Sequence, residues 1–394
     1  MRYSRVLLAA LALAGCRISG LNAATLTNVL QFNNYDGATA EDGPIEVNGQ
    51  LFGTTLFGGT DSSGVIFQLD PATGAETVLY SFKGGKDGWQ PQAGLVYRGG
   101  QFFGTTVQGG NPPNCLNHVG CGIVFRFDLK KGKESVLYRF SGGTDGATPT
   151  GGNLVYLNGK LYGTTFAGGA SGMGVVYAVD AKTGNETVLH SFSGGTDGED
   201  PQAGLIYANG TLYGLTDYGG NDGCNGDGCG TAFAIDPASG AETILHVFGG
   251  TSDGAYPLAN LVYHDGTIYG TTNQGGSADV GTIFSMDATT GAENVLFSFD
   301  GNDGALGDGV IYHDGHLFGS TASGGTDYGR GYTYGTVFDF DLATNEEKVL
   351  YSFSNDGNGG LPGGRLLYMN GDLWGTTSQA GAECSCGTVF KVRP

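Results

Sequence analysis

Proline and basic residues are the two conspicuous shortages in this 394-residue chain: 11 Pro, and 18 Lys plus Arg in all. So little proline excludes a collagen helix, which also needs glycine at every third position. Against 38 Asp plus Glu, the basic residues leave a formal charge of −20, which disfavours nucleic acid as a partner. Beyond the N-terminus no stretch approaches the roughly 18 apolar residues of a membrane-spanning helix. No HExxH, Gly-x-Ser-x-Gly or phosphate-loop pattern occurs, so no local motif announces a metalloprotease, serine hydrolase or nucleotide site. What the chain has in excess is glycine, 76 residues or 19% against a usual value of about 7%. A hydrophobic share of 39%, with 22 Phe and 20 Tyr, excludes a disordered polymer.

Arg2 and Arg5 precede an apolar run from Val6 to Ala14, the pattern of an export signal. Two processing sites compete. Leu13-Ala14-Gly15-Cys16 resembles a lipobox, which would lipidate Cys16 and leave residues 16–24 as a tether. Leu21-Asn22-Ala23 offers ordinary cleavage, which would make residues 1–23 a discarded signal. The other six cysteines form three close pairs, Cys115/Cys121, Cys224/Cys229 and Cys384/Cys386. An oxidising compartment would make each a disulfide closing one surface loop. The Cys-Ser-Cys spacing would strain its bridge, so reduced thiols are the alternative there. Zinc is the weaker reading for these cysteines, because the pairs lie far apart in sequence.

An aromatic-Gly-Thr-Thr motif recurs at Phe52–Thr55, Phe103–Thr106, Tyr162–Thr165 and Tyr269–Thr272, with looser copies at Tyr213–Thr216, Phe318–Thr321 and Trp374–Thr377. The mean spacing is 54 residues, near the period of a four-stranded propeller blade. Within one unit, Gly94–Tyr97, Gln101–Thr105, Ile123–Phe127 and Ser135–Phe140 read as strands a, b, c and d, bounded by turn residues. Leu26–Phe32 matches a lone strand d at the start, and the chain ends after an a, b and c. Pairing these ends closes a ring and hides its sheet edges. The expectation is an all-β, seven-bladed β-propeller spanning residues 25–394 as one domain.

These units resemble the GloVer (Gloeo/Verruco) tandem repeats of bacterial exported proteins. The resemblance rests on patterns such as Gly122-Ile123-Val124-Phe125, Glu186–Phe192, Asp197-Gly198, Pro201, Gly204–Tyr207 and Leu212-Tyr213-Gly214, and covers about residues 26–392. It implies a repeat fold and an exported location, with varied surface anchors, and no established reaction or catalytic residue.

The recurrent acids, Asp-Gly at Asp36, Asp87, Asp145, Asp197, Asp253, Asp303 and Asp356, and Glu76, Glu134, Glu186, Glu242 and Glu293, sit in like environments. That suits turns and strand edges better than a carboxylate pair with two unlike roles. Calcium in the Asp-Gly loops is the minority reading, and no other cofactor is expected. His190 and His246 stand where other units have Tyr80, Tyr138 and Tyr351, which reads as structural substitution. Departures from the repeat point elsewhere. The b–c and d–a loops must share one face, where Trp89, Gln92, Asp200, Gln202, Tyr218, Tyr256 and the Tyr328, Arg330, Tyr332 loop offer aromatics beside amides and charges. Asn153, Asn260 and Arg365 replace a glycine found at Gly94, Gly204 and Gly309 near the inner strand. The expected protein is a monomeric, exported binding module for glycans or envelope polymers, or for a surface protein, touching membrane only through an N-terminal lipid. The rivals are a propeller-based polysaccharide hydrolase or lyase, and a purely structural surface protein.

Overall fold

A computed structural model describes residues 24–110, 115, 119–150, 152–326, 334–354, 357–379 and 384–394. Seven four-stranded antiparallel sheets form the blades of a β-propeller. In the first blade the strands are β2 (Ile45–Val47), β3 (Gln50–Thr55), β4 (Val65–Leu69) and β5 (Glu76–Ser81), in spatial order a to d. The last blade joins the chain ends: β26 (Gly360–Met369), β27 (Asp372–Gln379) and β28 (Thr388–Val392) are completed by β1 (Leu26–Gln31). Leu26 lies opposite Val392 and Gln31 opposite Thr388. Cys16 and the export signal fall outside the described residues.

The repeated motif has a steric cause. Gly53, Gly104 and Gly163 each lie across the ladder from an aromatic residue of strand c: Phe67, Phe125 and Tyr177. A Cβ on any of them would sit 2.6 Å from a ring or phenol atom. The same strand-c rings meet, edge to face, the phenylalanine ending strand d of the preceding blade. Phe32–Phe67, Phe82–Phe125, Phe140–Tyr177, Phe192–Phe233, Phe248–Phe284, Phe299–Phe338 and Phe353–Phe390 all have centroids 5.0–5.5 Å apart. One such ring pair thus bridges every two neighbouring blades, each contact adding about 0.5–1.5 kcal/mol beyond its burial. The second threonine of the motif donates to the carbonyl two residues on in every blade, at 2.7–3.2 Å. The first reaches the next blade: Thr54 to Ala93 O, Thr164 to Ala203 O and Thr376 to Asp42 O.

The inner strands depart from expectation. In the second blade, strand a pairs over Val96–Arg98, not from Gly94, which instead packs against the side chains of Asp42 and Asn153. In the last two blades it is longer, Ala305–His313 and Gly360–Met369, each with a register shift before the regular ladder.

The cysteines depart from it in part. Cys115–Cys121, Cys224–Cys229 and Cys384–Cys386 are all disulfides in b–c loops, so the reduced alternative for the last pair is not the one found. They are not simple surface-loop closures, however. Cys121 and Cys229 are fully buried and Cys386 nearly so. Cys121 packs with Cys115, Val124, Phe140 and Tyr177 in one interblade cluster, so this bridge belongs to the core and Cys121 is not a surface residue. The cause is its place in the chain. The second cysteine of each pair stands just before the glycine that leads into strand c, beneath the d–a segment of the next blade. The carbonyls of Cys121, Cys229 and Cys386 accept from the N–H of Thr148, Tyr256 and Thr39 of that segment, at 2.7–3.0 Å.

Candidate functional site

The loop face is organised by one backbone device. Thr39, Gln90, Thr148, Asp200, Tyr256, Leu306 and Leu361, one per blade, have left-handed backbones with φ between +50° and +63°. L-residues pay strain there. Each N–H compensates by crossing to a carbonyl in the b–c loop of the preceding blade, 2.7–3.2 Å away; Asp200 reaches Met173 and Tyr256 reaches Cys229. These seven stitches place one residue per blade around the mouth of the channel, of five types: Thr twice, Leu twice, Gln, Asp and Tyr. Asp200 and Tyr256 stood out in the sequence as departures from the repeat, whereas the backbone conformation shared by all seven did not.

Two sectors of the mouth carry chemistry. In the first, the fourth and fifth blades bring together four residues expected from sequence. Tyr218 and Tyr256 lie with centroids 5.3 Å apart, and the amide of Gln202 donates to Asp217 at 3.1 Å. The backbone of Asp217 pairs with the carbonyl of Asp200. Asp217 is 4% exposed, and its Oδ1 has no hydrogen-bond partner among the described residues. Burial, then the neighbouring Asp200 carboxylate, pushes Asp217 up to about 7; burial, then Glu199, takes Asp200 to about 6. The Asp217 carboxylate also raises the Tyr218 phenol. The Tyr256 hydroxyl donates to the carbonyl of Cys224, so the Cys224–Cys229 disulfide buttresses this ring. Asp217 was missed because its equivalents differ in every blade.

In the second sector a cavity of about 330 Å³ is lined by Glu41, Gln92, Asn260, Asn273 and Asp308. Gly307, Gly363 and Gly364 complete its lining, and a Cβ on them would meet Thr271, Glu41 and Asp42 respectively. Gln92 donates to Glu41 at 2.7 Å. Burial and the facing Glu41 carboxylate hold Asp308 well above the usual carboxyl range. Nearer the axis, Asp42 is 5% exposed and accepts from the backbone of Gly43 and of Arg365. Asp42 Oδ2 and Asn153 Oδ1 both approach Gly94, and neither has a hydrogen-bond partner among the described residues. Asn260 Oδ1 approaches Gly204 in the same way. Arg365 lines a different cavity, with Tyr312, His313 and Tyr368 of the inner strands. Trp89 is half-buried and pairs through its backbone with Gln108, outside both sectors. Tyr328, Arg330 and Tyr332 lie outside the described residues.

The Asp-Gly carboxylates are taken up by hydrogen bonds within their own loops and to the strand-d residue before them. Asp87 accepts from Tyr80 Oη and Lys83 N, Asp145 from Tyr138 Oη and Ser141 N, and Asp253 from Gly249 N, with His246 Nε2 3.3 Å away. Asp36 and Asp303 accept from Asn33 N and Asp300 N. Asp356 lies outside the described residues. Beside these aspartates sit Glu76, Glu134, Glu186, Glu242, Glu293 and Glu347, each raised to about 7 or 8 by burial and then by a neighbouring aspartate.

Comparison with known proteins places this geometry in context. The sequence profile described as the Gloeobacter/Verrucomicrobia repeat matches residues 18–115 and 116–330. No curated protein matches the chain. Among solved structures, an oligogalacturonate lyase in complex with manganese is similar at TM-score 0.54 and 13% identity, over 94% of this chain and 93% of that one. An oligogalacturonate lyase from Vibrio parahaemolyticus is similar at TM-score 0.55 and 10% identity, over 95% and 94%. At such identities the likeness is one of fold alone.

Proposed function

The chain belongs to the Gloeobacter/Verrucomicrobia repeat family, and from that premise we propose that it is an exported binding module for glycans or other envelope polymers. The observation that carries this reading is the Tyr218/Tyr256 pair set beside Asp200, Gln202 and Asp217 at the channel mouth. Two adjoining rings offer apolar faces to a sugar, and the Gln202 amide, held by buried Asp217, and the half-buried Asp200 carboxyl offer directed hydrogen bonds to its hydroxyls. The Asp200 carboxyl, raised to about 6, is in part protonated just below neutral pH, so it donates as well as accepts. The net charge of −20 favours a neutral polymer over an anionic one. Three disulfides are consistent with an exported protein. Lipidation of Cys16 would hold it at the envelope.

The same acid pair favours a second reading. Asp200 and Asp217 occupy unlike environments, and a carboxyl kept protonated near neutral pH suits a general acid of polysaccharide cleavage. One experiment separates the two: retention of the protein on immobilised neutral and anionic polysaccharides, with product analysis of each polymer retained. The binding reading predicts saturable retention with intact polymer. Cleavage would establish the enzyme, and absence of retention on every polymer would refute the polymer reading.

A further inference from the structure

The blades are joined by a recurring three-residue contact outside the mouth. It comprises a strand-d residue, the Asp-Gly aspartate seven positions later, and the glutamate opening strand d of the next blade. In two blades the strand-d residue is tyrosine: Tyr80 with Asp87, and Tyr138 with Asp145. In the next two it is histidine, giving His190, Asp197, Glu242 and His246, Asp253, Glu293, each with its ligand atoms within 4.8 Å of one another. We propose that these two interblade clusters are zinc sites, each with three protein ligands and a fourth position open to solvent.

The donor set suits the metal. One imidazole nitrogen and two carboxylates form a borderline N/O set of the kind zinc takes, whereas calcium and magnesium prefer oxygen alone. The spacing suits it too. Zinc bonds of about 2.0–2.1 Å place tetrahedral ligand atoms about 3.3 Å apart. His190 Nε2 lies 3.1 Å from Asp197 Oδ1 and 4.0 Å from Glu242 Oε2, and His246 Nε2 lies 3.3 Å from Asp253 Oδ2. The aspartates are held ready. Asp197 Oδ2 accepts from Ser193 N and Oγ, leaving Oδ1 towards the histidine, and Asp253 accepts from Gly249 N. Orientation by such outer contacts is what a metal site requires.

Two carboxyl groups meeting at a half-buried interface need something between them. A phenol adds only one donor, which goes to the aspartate. Histidine supplies a nitrogen within 4.8 Å of an oxygen of both carboxylates, so one cation can be shared by all three groups. Glu242 and Glu293 each retain a buried Oε1 without a hydrogen-bond partner among the described residues. The same orphan oxygen occurs on Glu76, Glu134, Glu186 and Glu347, so it marks the interface, and the histidine marks the site.

The native repeat provides a folded control. His190→Tyr and His246→Tyr install the residue that the neighbouring blades use at this position. The full-length protein is stripped with chelator and dialysed against limiting zinc, and its metal content and zinc affinity are measured. The expected result is two tightly held equivalents in the wild type, one in His190→Tyr and none in the double variant, with cobalt giving tetrahedral d–d absorption in the wild type and not in the double variant. Absence of any tightly held equivalent in the wild type overturns the proposal. So does a double variant that holds as much zinc as the wild type. This test is independent of polymer binding at the mouth.

Discussion

A single missing methyl group explains why the motif is aromatic-Gly-Thr-Thr. Gly104 has no unusual φ; it is glycine because the ring of Phe125 occupies the space a Cβ would take, at 2.6 Å. That ring is also half of the Phe82–Phe125 interblade contact, so it has little room to retreat. Gly104→Ala is therefore an overpacking change, expected to cost about 1–3 kcal/mol. Denaturant unfolding measures it, and an unchanged midpoint would contradict the packing account. The variable residues follow a different logic. Asp200 and Tyr256 share one strained backbone position with Thr39, Gln90, Thr148, Leu306 and Leu361, so the fold fixes where the side chain goes and leaves its chemistry free.

Strand β1 is the element on which closure depends. It contributes the outer strand of the last blade, and Phe32 just beyond it meets Phe67 of the first. Deleting Leu26–Gln31 exposes the edge of β28 and releases Phe32 from the ring pair that joins the last blade to the first. Such an edge invites intermolecular pairing. The deletion is expected to yield aggregated protein without a cooperative thermal transition; a soluble monomer with wild-type unfolding would show the ring to be open. This closure was readable from sequence because hydrophobic runs and turn residues are local signals. Blade count and strand order follow from them; the cysteine pairs follow from their close spacing, which left the oxidation of Cys384 and Cys386 open. The burial of Cys121 was not readable, since the segment that covers it belongs to the next blade. Nor was the early start of strand a in the last two blades, since Gly360–Gly364 carries no alternating pattern and pairs only because neighbouring blades hold it.

At the scale of the whole molecule the blades act together on pH. Six interblade glutamates have carboxyls raised from 4.5 to about 7 or 8. A raised folded pKa means the folded state binds the proton more tightly than the unfolded chain. Their stabilisation is complete below about pH 4.5 and is lost as pH rises through 7 and 8. Asp70, Asp128, Asp180, Asp236, Asp287 and Asp341, lowered by turn hydrogen bonds from 3.8, act oppositely, but only as pH falls below that value. Melting temperature, measured in chelator at constant ionic strength, should thus be lower at about pH 9 than at about pH 5. Glu134→Gln should flatten the slope, and a Tm flat or rising over that range would contradict the account. The mouth was half legible for a related reason. Aromatic and amide residues stood out against the repeat, whereas Asp42, Asp217 and Asp308 gain their character from burial by several blades at once.

The central claim is that the mouth binds a polymer through the Tyr218/Tyr256 sector. Its most direct test is the affinity of the wild type and of a Tyr218→Ala, Tyr256→Ala double variant for the best-retained polysaccharide, with Tm measured on both. The account predicts saturable binding by the wild type and at least about tenfold weaker binding by the variant, the loss of a few contacts of about 1 kcal/mol each, at near-equal Tm. Equal affinity in the two proteins would contradict it.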